Sequence, residues 1–339
     1  MTTPSRLPAR RSTLTASLGV AALLGFGSAR AQSPAKLSLR FDFLPYGSHG
    51  PFYLAQERGW FRDAGVEPSF EDGNGSATAV QLVDGGRHDL AYVSFASSMV
   101  ARDKGMTIKA VAGVLRKSDL GVLVDERSDI HKPKDLEGKR IFFSPASVET
   151  LFIDTWFRQN GVEKSKVNLT ALDVGTKVST YLGGQGDGMF VPLPIYTVRE
   201  SIPRLSRGMP FADFGLPLPG FGVIASDTAI RTKAPAIRGF LVALRRAWTG
   251  IQDRSLIDEA TEALLKNRQQ SRLAPGYVRA QLEAVIPYMD TAATAGKPLF
   301  WQAPEDWAAA LKSSEAAGVI KANSRPENFY TNDLLPAAG

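Results

Sequence analysis

Short apolar runs alternate with helix-period segments along the first third of the chain. The apolar runs lie at residues 37–43, 66–70, 90–94 and 108–115, and polar or glycine-containing turns separate them from the amphipathic stretches between. Strands that alternate with helices in this way predict an α/β fold, in which a mostly parallel sheet is covered by helices on both faces.

A second α/β series begins with a strand at residues 120–124 and a polar loop at 125–139. Its further expected elements are strands at 140–143, 167–169, 189–193 and 223–225, a helix at 147–160 and an extended run at 209–214. From there to the end of the chain the pattern is almost entirely helical. A one-sided apolar stripe is formed by Ile237, Phe240, Leu241, Leu244, Trp248 and Ile251, and more helices are predicted at 256–266, 276–286 and 304–316.

Two extended crossings, near Gly121 and near Phe221–Gly222, join the two series. They predict a discontinuous first lobe, residues 36–120 plus 222–339, and an inserted second lobe, residues 121–221. Two lobes joined by paired strands are the architecture of proteins that close around a ligand by a hinge motion.

The first 31 residues have the composition of an export signal. They contain four arginines and no Asp or Glu, and an apolar run from about residue 14 to 28 precedes Ala29-Arg30-Ala31. We expect cleavage after Ala31, with the Arg10-Arg11 pair leaving the twin-arginine route open. The rival interpretation is a transmembrane anchor, which needs about 20 apolar residues.

Charge and cysteine content narrow the function classes. Removal of the signal would lower the formal net charge from +6 to +2, so the basic composition gives no support to a nucleic-acid partner. The chain has no cysteine, which excludes disulfides, thiolate metal sites, cysteine nucleophiles and a lipid-modified cysteine anchor. We expect a monomeric periplasmic protein that is not lipid-anchored.

Residues 41–61 carry the densest set of candidate ligand contacts. The expected strand ends near Phe43, Pro45 and Gly47 turn the chain, and Pro51 lies in the first turn of a helix. The loop therefore lies at the carboxyl edge of the sheet, where α/β folds bind ligands. Its candidates are Asp42, Phe43, Tyr46, His49 and Tyr53, which suit a small, planar, polar ligand. The alternative is that the rings are core and that Tyr46 packs the loop.

Other strand ends and turns supply the remaining candidates. Helix starts after strands favour anionic or carbonyl oxygens, and the residues concerned are Asn74, Gly75, Ser76, Ser94, Phe95, Ser144 and Ser147. Each could instead be a helix cap without a ligand. Asp187 in a glycine-rich turn could pair with Lys177, although exposed charges are the default, and Phe221 lies at the second crossing.

Catalytic motifs are missing from the sequence. The three histidines, His49, His88 and His131, are too scattered for a metal motif, and neither a Gly-x-Ser-x-Gly elbow nor a Gly-Lys-Ser/Thr phosphate loop occurs. We therefore predict a binding protein that has no catalytic residue, cofactor or metal site.

The segment Asp42-Phe-x-Pro…His49-Gly-Pro-Phe-Tyr-Leu-Ala-x-Glu-x-Gly-Trp-Phe resembles the opening signature of the thiamine-pyrimidine/nitrate/sulfonate/taurine-type substrate-binding proteins of ABC importers. Supporting matches begin at Gly86, Asp135, Gly161 and Phe329, so the resemblance covers nearly the whole chain after the signal. It implies a two-lobed periplasmic binding protein fold of the type II-like class. The implied partners are a small-molecule ligand and an inner-membrane permease.

The resemblance also bears on the ligand. The Pro45…His49-Gly-Pro form is similar to the pyrimidine-precursor branch, whereas Tyr46 replaces the usual Asn of that motif. A thiamine-precursor-like heteroaromatic is favoured, and aromatic carboxylates, sulfonates, taurine and nitrate are the alternatives. The family includes a pyrimidine-synthesising enzyme that consumes its own histidine and carries a cysteine-rich iron-binding motif. Because this chain has no cysteine and begins with a predicted export signal, a pyrimidine-synthase-like enzyme of the same fold is the less favoured alternative.

Overall fold

Ten strands form two five-stranded sheets within residues 33–145, 147–196 and 204–335, which together with residues 1–3 are the part of the chain that the computed structural model describes. The strands are β1 Ala35–Phe41, β2 Val66–Glu71, β3 Leu90–Ser94, β4 Ile108–Lys117, β5 Leu120–Asp125, β6 Arg140–Phe143, β7 Asn168–Ala171, β8 Gly188–Pro192, β9 Ser206–Pro210 and β10 Pro219–Ser226. The predicted export signal lies almost entirely outside the described residues.

Each sheet is mixed, with one strand running against the other four. The first sheet has the order β2-β1-β3-β10-β4, in which β10 is antiparallel to both of its neighbours. The second has the order β7-β6-β8-β5-β9, in which β5 is the reversed strand. The predicted two-lobed α/β fold with mostly parallel sheets is confirmed.

Twelve α-helices in the described residues flank the sheets. They are α1 Gly50–Glu57, α2 Trp60–Asp63, α3 Ser76–Asp84, α4 Phe95–Asp103, α5 Ile153–Gln159, α6 Val174–Leu182, α7 Leu193–Tyr196, α8 Asp227–Thr232, α9 Ala234–Gln252, α10 Ile257–Asn267, α11 Pro275–Val285 and α12 Pro304–Ala316. None of the helices in the described part of the chain combines the length and the hydropathy needed to span a membrane.

Each lobe has its own core. The apolar stripe of α9 buries Phe240 and Trp248 against rings from α1, α2 and β3, and Phe61 stacks on Phe240 at 4.9 Å between centroids. In the second lobe, Trp156 packs against Phe190 and Phe211. Most residues of each core come from one lobe, although Ala96, Ala317 and Val319 of the first lobe also pack against the second-lobe core.

The chain passes between the sheets twice. Only residues 118–119 separate β4 from β5, and residues 211–218 separate β9 from β10. We propose the two lobes as domains with the predicted limits, 36–120 plus 222–339 and 121–221. β5 begins at Leu120 and β10 at Pro219, so both strands extend slightly beyond these limits.

Two predicted elements were wrong in type. The helix expected at 147–160 begins as a 3-10 turn, Val148–Phe152, and only Ile153–Gln159 is α-helical. The extended run expected at 209–214 is a strand that ends at Pro210, followed by a 3-10 turn, Phe211–Phe214. In both segments a short apolar run satisfies burial in a turn as well as in a regular element, so periodicity alone could not separate the two.

Candidate functional site

A cavity of about 530 Å³ lies between the two lobes. The first lobe contributes residues that follow β1, the start of α3, the last residue of β3 and two positions of α4. The second lobe contributes residues 145, 147–149 and 151, two positions of α6 and residues 191, 192, 195 and 196. A volume of this size is typical of sites for small molecules, which are commonly about 300–1,000 Å³. Eight of the candidates predicted from sequence line it, namely Asp42, Phe43, Asn74, Gly75, Ser76, Ser94, Ser147 and Phe221.

Asp42 follows β1 directly, and hydrogen bonds from two side chains outside the cavity lining hold its carboxylate. His49 Nε2 lies 3.1 Å from Asp42 Oδ1, and the Tyr46 hydroxyl donates to the same carboxylate at 3.4 Å. The His49 ring is fully buried and stacks on Phe41, with centroids 3.9 Å apart. These contacts fix the orientation of a carboxylate in the cavity wall.

Burial determines the protonation of the two supporting rings. It lowers the pKa of His49, although the hydrogen bond and charge of Asp42 oppose the shift, so the ring is neutral near pH 7. A neutral ring next to a carboxylate carries its proton on Nε2 and donates it to Asp42. Burial, followed by the Asp42 charge, raises the pKa of Tyr46 well above its usual range, so the phenol also remains a donor.

Glycines bring the start of α3 to the Asp42 loop. A Cβ at Gly73 would lie 2.0 Å from the Phe41 carbonyl oxygen, and Gly75 has a φ of +135° and donates its N–H to the Asp42 carbonyl at 2.6 Å. The Ser76 hydroxyl accepts a hydrogen bond from Ser94 N at 3.1 Å, which joins two cavity-lining segments. The first turn of α3 therefore presents polar backbone and side-chain atoms to the cavity.

The second lobe contributes a buried ion pair. Lys177 Nζ lies 3.0 Å from Glu149 Oε1 and 2.6 Å from the Phe190 carbonyl oxygen, and Lys177 and Glu149 are 1% and 2% exposed. The sequence-based default that Lys177 is exposed was therefore wrong, because α6 turns this side chain inward onto the carboxylate. Lys177 is the only cation among the described residues of the cavity lining, and two of its three N–H donors are engaged by Glu149 and by the Phe190 carbonyl oxygen.

Asp119 faces the same cavity from the first crossing. Burial raises its pKa to about 7, and the charges of Asp42 and Glu149 add to the effect, while hydrogen bonding to its own backbone opposes it. Near neutral pH the carboxyl group can therefore hold its proton, so that it can donate as well as accept a hydrogen bond. The described lining thus combines three carboxyl groups with one ammonium group. Within the described residues, no cluster of His, Asp or Glu could hold a metal ion.

Six predicted candidates lie outside the cavity lining. Tyr46 and His49 lie behind Asp42, and Tyr53 packs in the core against Phe70. The other three are Phe95, which packs on Trp307, Ser144, whose hydroxyl is buried without a partner among the described residues, and Asp187, which accepts a hydrogen bond from Arg140 N at 2.7 Å. Asp187 supports the edge of β6 and does not pair with Lys177.

Sequence reasoning missed a residue at the first crossing and most of the second-lobe wall. Asp119, Glu149 and Tyr196 line the cavity without having been selected as candidates, and Lys177 was considered only as a partner of Asp187. Asp119 had a usable signal, since the polar pair 118–119 interrupts two strands that are otherwise buried. Glu149 and Lys177 belong to different helical segments, and nothing local in the sequence shows that they meet.

Comparisons with curated proteins give two kinds of relative. The chain is 21% identical over 276 residues to the formylaminopyrimidine-binding protein of Halalkalibacterium halodurans, covering 80% of this chain and 82% of that protein. It is 24% identical over 151 residues to 4-amino-5-hydroxymethyl-2-methylpyrimidine phosphate synthase THI12 of Saccharomyces cerevisiae. This second match covers 44% of each protein, so the chain spans less than half the length of the yeast relative.

The fold is that of the ABC periplasmic binding proteins. The periplasmic aliphatic sulphonate binding protein SsuA from Escherichia coli superposes with a TM-score of 0.65 at 16% identity, covering 87% of this chain and 92% of that one. The family described as NMT1/THI5 like matches residues 47–254, which is more than half of the chain. The protein belongs to the NMT1/THI5-like family.

Proposed function

We propose that this protein is the periplasmic solute-binding component of an ABC importer and that it captures a small nitrogen heterocycle of the aminopyrimidine class. The observation that carries the proposal is the charge of the cavity wall. Asp42 and Asp119 face the cavity, and the only described cation there, Lys177, is bonded to Glu149 and to a backbone carbonyl.

This wall favours a ligand that donates hydrogen bonds. An aminopyrimidine presents an amino donor beside a ring-nitrogen acceptor, and a protonated carboxyl group pairs with that edge through two hydrogen bonds. Asp119, with a pKa of about 7, has the proton needed for such a pair. Asp42, oriented by His49, offers an acceptor to a second donor of the ligand.

The same wall disfavours the anionic alternatives. A sulfonate, nitrate or aromatic carboxylate would bring a negative charge next to the Asp42 carboxylate, and burying like charges together is costly unless a cation compensates. SsuA, which is named for sulphonates, shares the fold at only 16% identity, so this similarity does not indicate which ligand the present protein binds. The formylaminopyrimidine-binding relative covers more of this chain than the yeast synthase does, which supports the same ligand class.

A binding role is preferred to catalysis. The yeast relatives are named as synthases, but the chain has no cysteine, and His49 is fully buried against Phe41 behind Asp42. Closure of the two lobes about the crossings would let both walls contact one ligand, which is how two-lobed receptors gain affinity on closing.

The test is a binding panel with the purified mature protein. Formylaminopyrimidine and 4-amino-5-hydroxymethyl-2-methylpyrimidine are compared with taurine, nitrate and benzoate by thermal shift and calorimetry. At about a hundredfold excess over the dissociation constant, a true ligand adds roughly 2.7 kcal/mol of stability. Binding of an anion without an aminopyrimidine response would overturn the ligand class, and repeated turnover of a bound pyrimidine in mass spectrometry would overturn the binding role.

A further inference from the structure

Helix α11 of the first lobe contacts α7 of the second lobe beside the cavity. The Tyr277 hydroxyl donates a hydrogen bond to the Ile195 carbonyl oxygen at 2.9 Å, and Gln281 Nε2 donates to the same oxygen at 3.4 Å. Ile195 itself lines the cavity. The two lobes are therefore joined by polar contacts in addition to the two chain crossings.

Gln281 also holds the loop that follows β1. Its Oε1 accepts a hydrogen bond from Gly47 N at 2.8 Å, and the side chain is 1% exposed. A Cβ on Gly47 would lie 2.7 Å from Gln281 Cβ and 2.8 Å from the Val278 carbonyl oxygen, so the loop is pressed against α11. One side chain thus bonds to the first-lobe loop that supports Asp42 and to the second-lobe wall.

The contact lies close to the first crossing. Leu193 N, at the start of α7, donates to the Asp119 carbonyl oxygen at 2.8 Å, and Ile195 follows two positions later in the same helix. When two lobes rotate about a crossing, atoms near it move least, so a hydrogen bond at this place can persist while the cavity opens and closes.

We propose that Tyr277 and Gln281 are positioning residues that form a third element of the hinge. They act through Ile195 and Gly47 and do not touch the ligand. By holding α7 against α11, they limit the angles that the lobes can adopt and keep the Asp42 loop in register with the opposite wall. The inference rests on the proposed function only in assuming that lobe closure serves ligand capture, because the hinge itself can be measured without ligand.

The experiment uses the absence of cysteine from the chain. Gln81→Cys on α3 and Ser179→Cys on α6, both exposed positions, place one spin label on each lobe, and pulsed electron paramagnetic resonance gives the distance distribution in the ligand-free protein. Tyr277→Phe removes a single hydroxyl group, and Gln281→Leu removes both amide contacts. We expect each to broaden the distribution and shift it to longer distances.

The matched control is Gln302→Leu. Gln302 is a 3% exposed glutamine in the same lobe, and its amide donates to the Ala110 and Thr331 carbonyl oxygens, which are not part of α7 or of the cavity lining. Its variant should lower thermal stability and leave the distance distribution unchanged. If Gln281→Leu does not fold, Tyr277→Phe decides the question alone.

Two results would overturn the inference: an unchanged distribution in Tyr277→Phe, or equal broadening in Gln302→Leu, which would indicate general loosening. With 4-amino-5-hydroxymethyl-2-methylpyrimidine as the probe, the hinge variants should lose about tenfold in affinity, mainly through faster dissociation. If that probe fails to bind the unaltered protein, the proposed ligand class fails, while the label distances still test the hinge.

Discussion

Lys177 Nζ lies 3.0 Å from Glu149 Oε1, and the two side chains are 1% and 2% exposed in the wall of the interlobe cavity. The lysine comes from α6 and the glutamate from the 3-10 turn before α5, so the pair joins two elements of the second lobe. A buried charge that loses its partner is costly, whereas replacing both members by apolar groups is often tolerated.

We therefore expect Lys177→Met to lower the free energy of unfolding by about 3–5 kcal/mol, because it leaves Glu149 buried and uncompensated. The double variant Lys177→Met with Glu149→Leu should recover most of that loss. Urea denaturation of the ligand-free protein measures both. The control is Lys166→Met, since the Lys166–Glu163 pair is more than half exposed and solvent screening should leave stability almost unchanged. Equal losses in the two single variants would contradict the assignment.

The orientation of Asp42 is a second testable feature. Asp42→Asn removes a charged acceptor from the cavity wall and should weaken aminopyrimidine binding by on the order of tenfold to a hundredfold. His49→Phe keeps a ring on Phe41 but deletes the Nε2 donor, and we expect a smaller loss of about tenfold. Calorimetry of both variants measures these losses.

The control for the histidine variant is His88→Phe. His88 Nε2 lies 3.4 Å from the exposed Glu71, and His88 is not part of the cavity lining. Its variant should bind with unchanged affinity. If His49→Phe also binds normally and only melts at a lower temperature, then His49 stabilises the loop without orienting Asp42 for the ligand.

The raised pKa of Asp119 predicts how the stability of the protein changes with pH. Burial raises its pKa to about 7 in the folded protein, whereas an unfolded Asp titrates near 4. Between these pH values the folded state binds more protons, so the contribution of Asp119 to the free energy of unfolding falls as the pH rises from about 4 to about 7. Asp119→Asn should remove this decline. At pH 8 the free energy of unfolding of the variant should exceed that of the wild type by at most about 4 kcal/mol. Water in the cavity would solvate the ionised carboxylate and make this difference smaller.

Denaturation curves of both proteins from pH 4 to pH 8 measure this effect, and parallel profiles would contradict it. The ligand adds a second signature. If protonated Asp119 donates a hydrogen bond to a ring nitrogen of the ligand, binding favours its protonated form. Calorimetry near pH 7 should then show that the complex takes up protons from the buffer, and Asp119→Asn should abolish this uptake.

Alternation of strands and helices was sufficient to predict the two-lobed α/β architecture, and the helix predicted at 304–316 coincides with α12. The first-lobe wall could also be predicted from the sequence. Asp42 directly follows β1, residues 74–76 follow the end of β2 by a few positions, and such positions meet at one edge of a parallel sheet. The second-lobe wall could not be predicted, since it depends on which face of α6 turns inward to bring Lys177 onto Glu149.

The loop at residues 45–49 shows a second limit of prediction from the sequence. Its rings were interpreted as facing a ligand, yet Tyr46 and His49 pack behind Asp42. The reason lies in Gly47, whose N–H bonds to Gln281, 234 positions along the chain. A contact over that separation leaves no local pattern, so the direction of the loop could be found only from the fold.

Gly47 therefore provides a sharp test of the way this loop is held. Gly47→Ala would place a Cβ 2.7 Å from Gln281 Cβ and 2.8 Å from the Val278 carbonyl oxygen, so the loop or α11 must shift. Forcing extra volume into a packed contact typically costs about 1–3 kcal/mol. Because the shift also moves the support of Asp42, we expect weaker aminopyrimidine binding together with a lower melting temperature.

Gly276→Ala is the matched control on α11 itself. A Cβ at Gly276 would have no atom within 4 Å, and the position lies in the first turn of the helix, where Ala in place of Gly stabilises by about 0.4–1 kcal/mol. The same substitution should therefore have opposite effects at the two glycines when melting temperature and affinity are measured side by side. A Gly47→Ala protein with unchanged stability and affinity would show that the loop is not clamped against α11, and the third hinge contact would lose its first-lobe anchor.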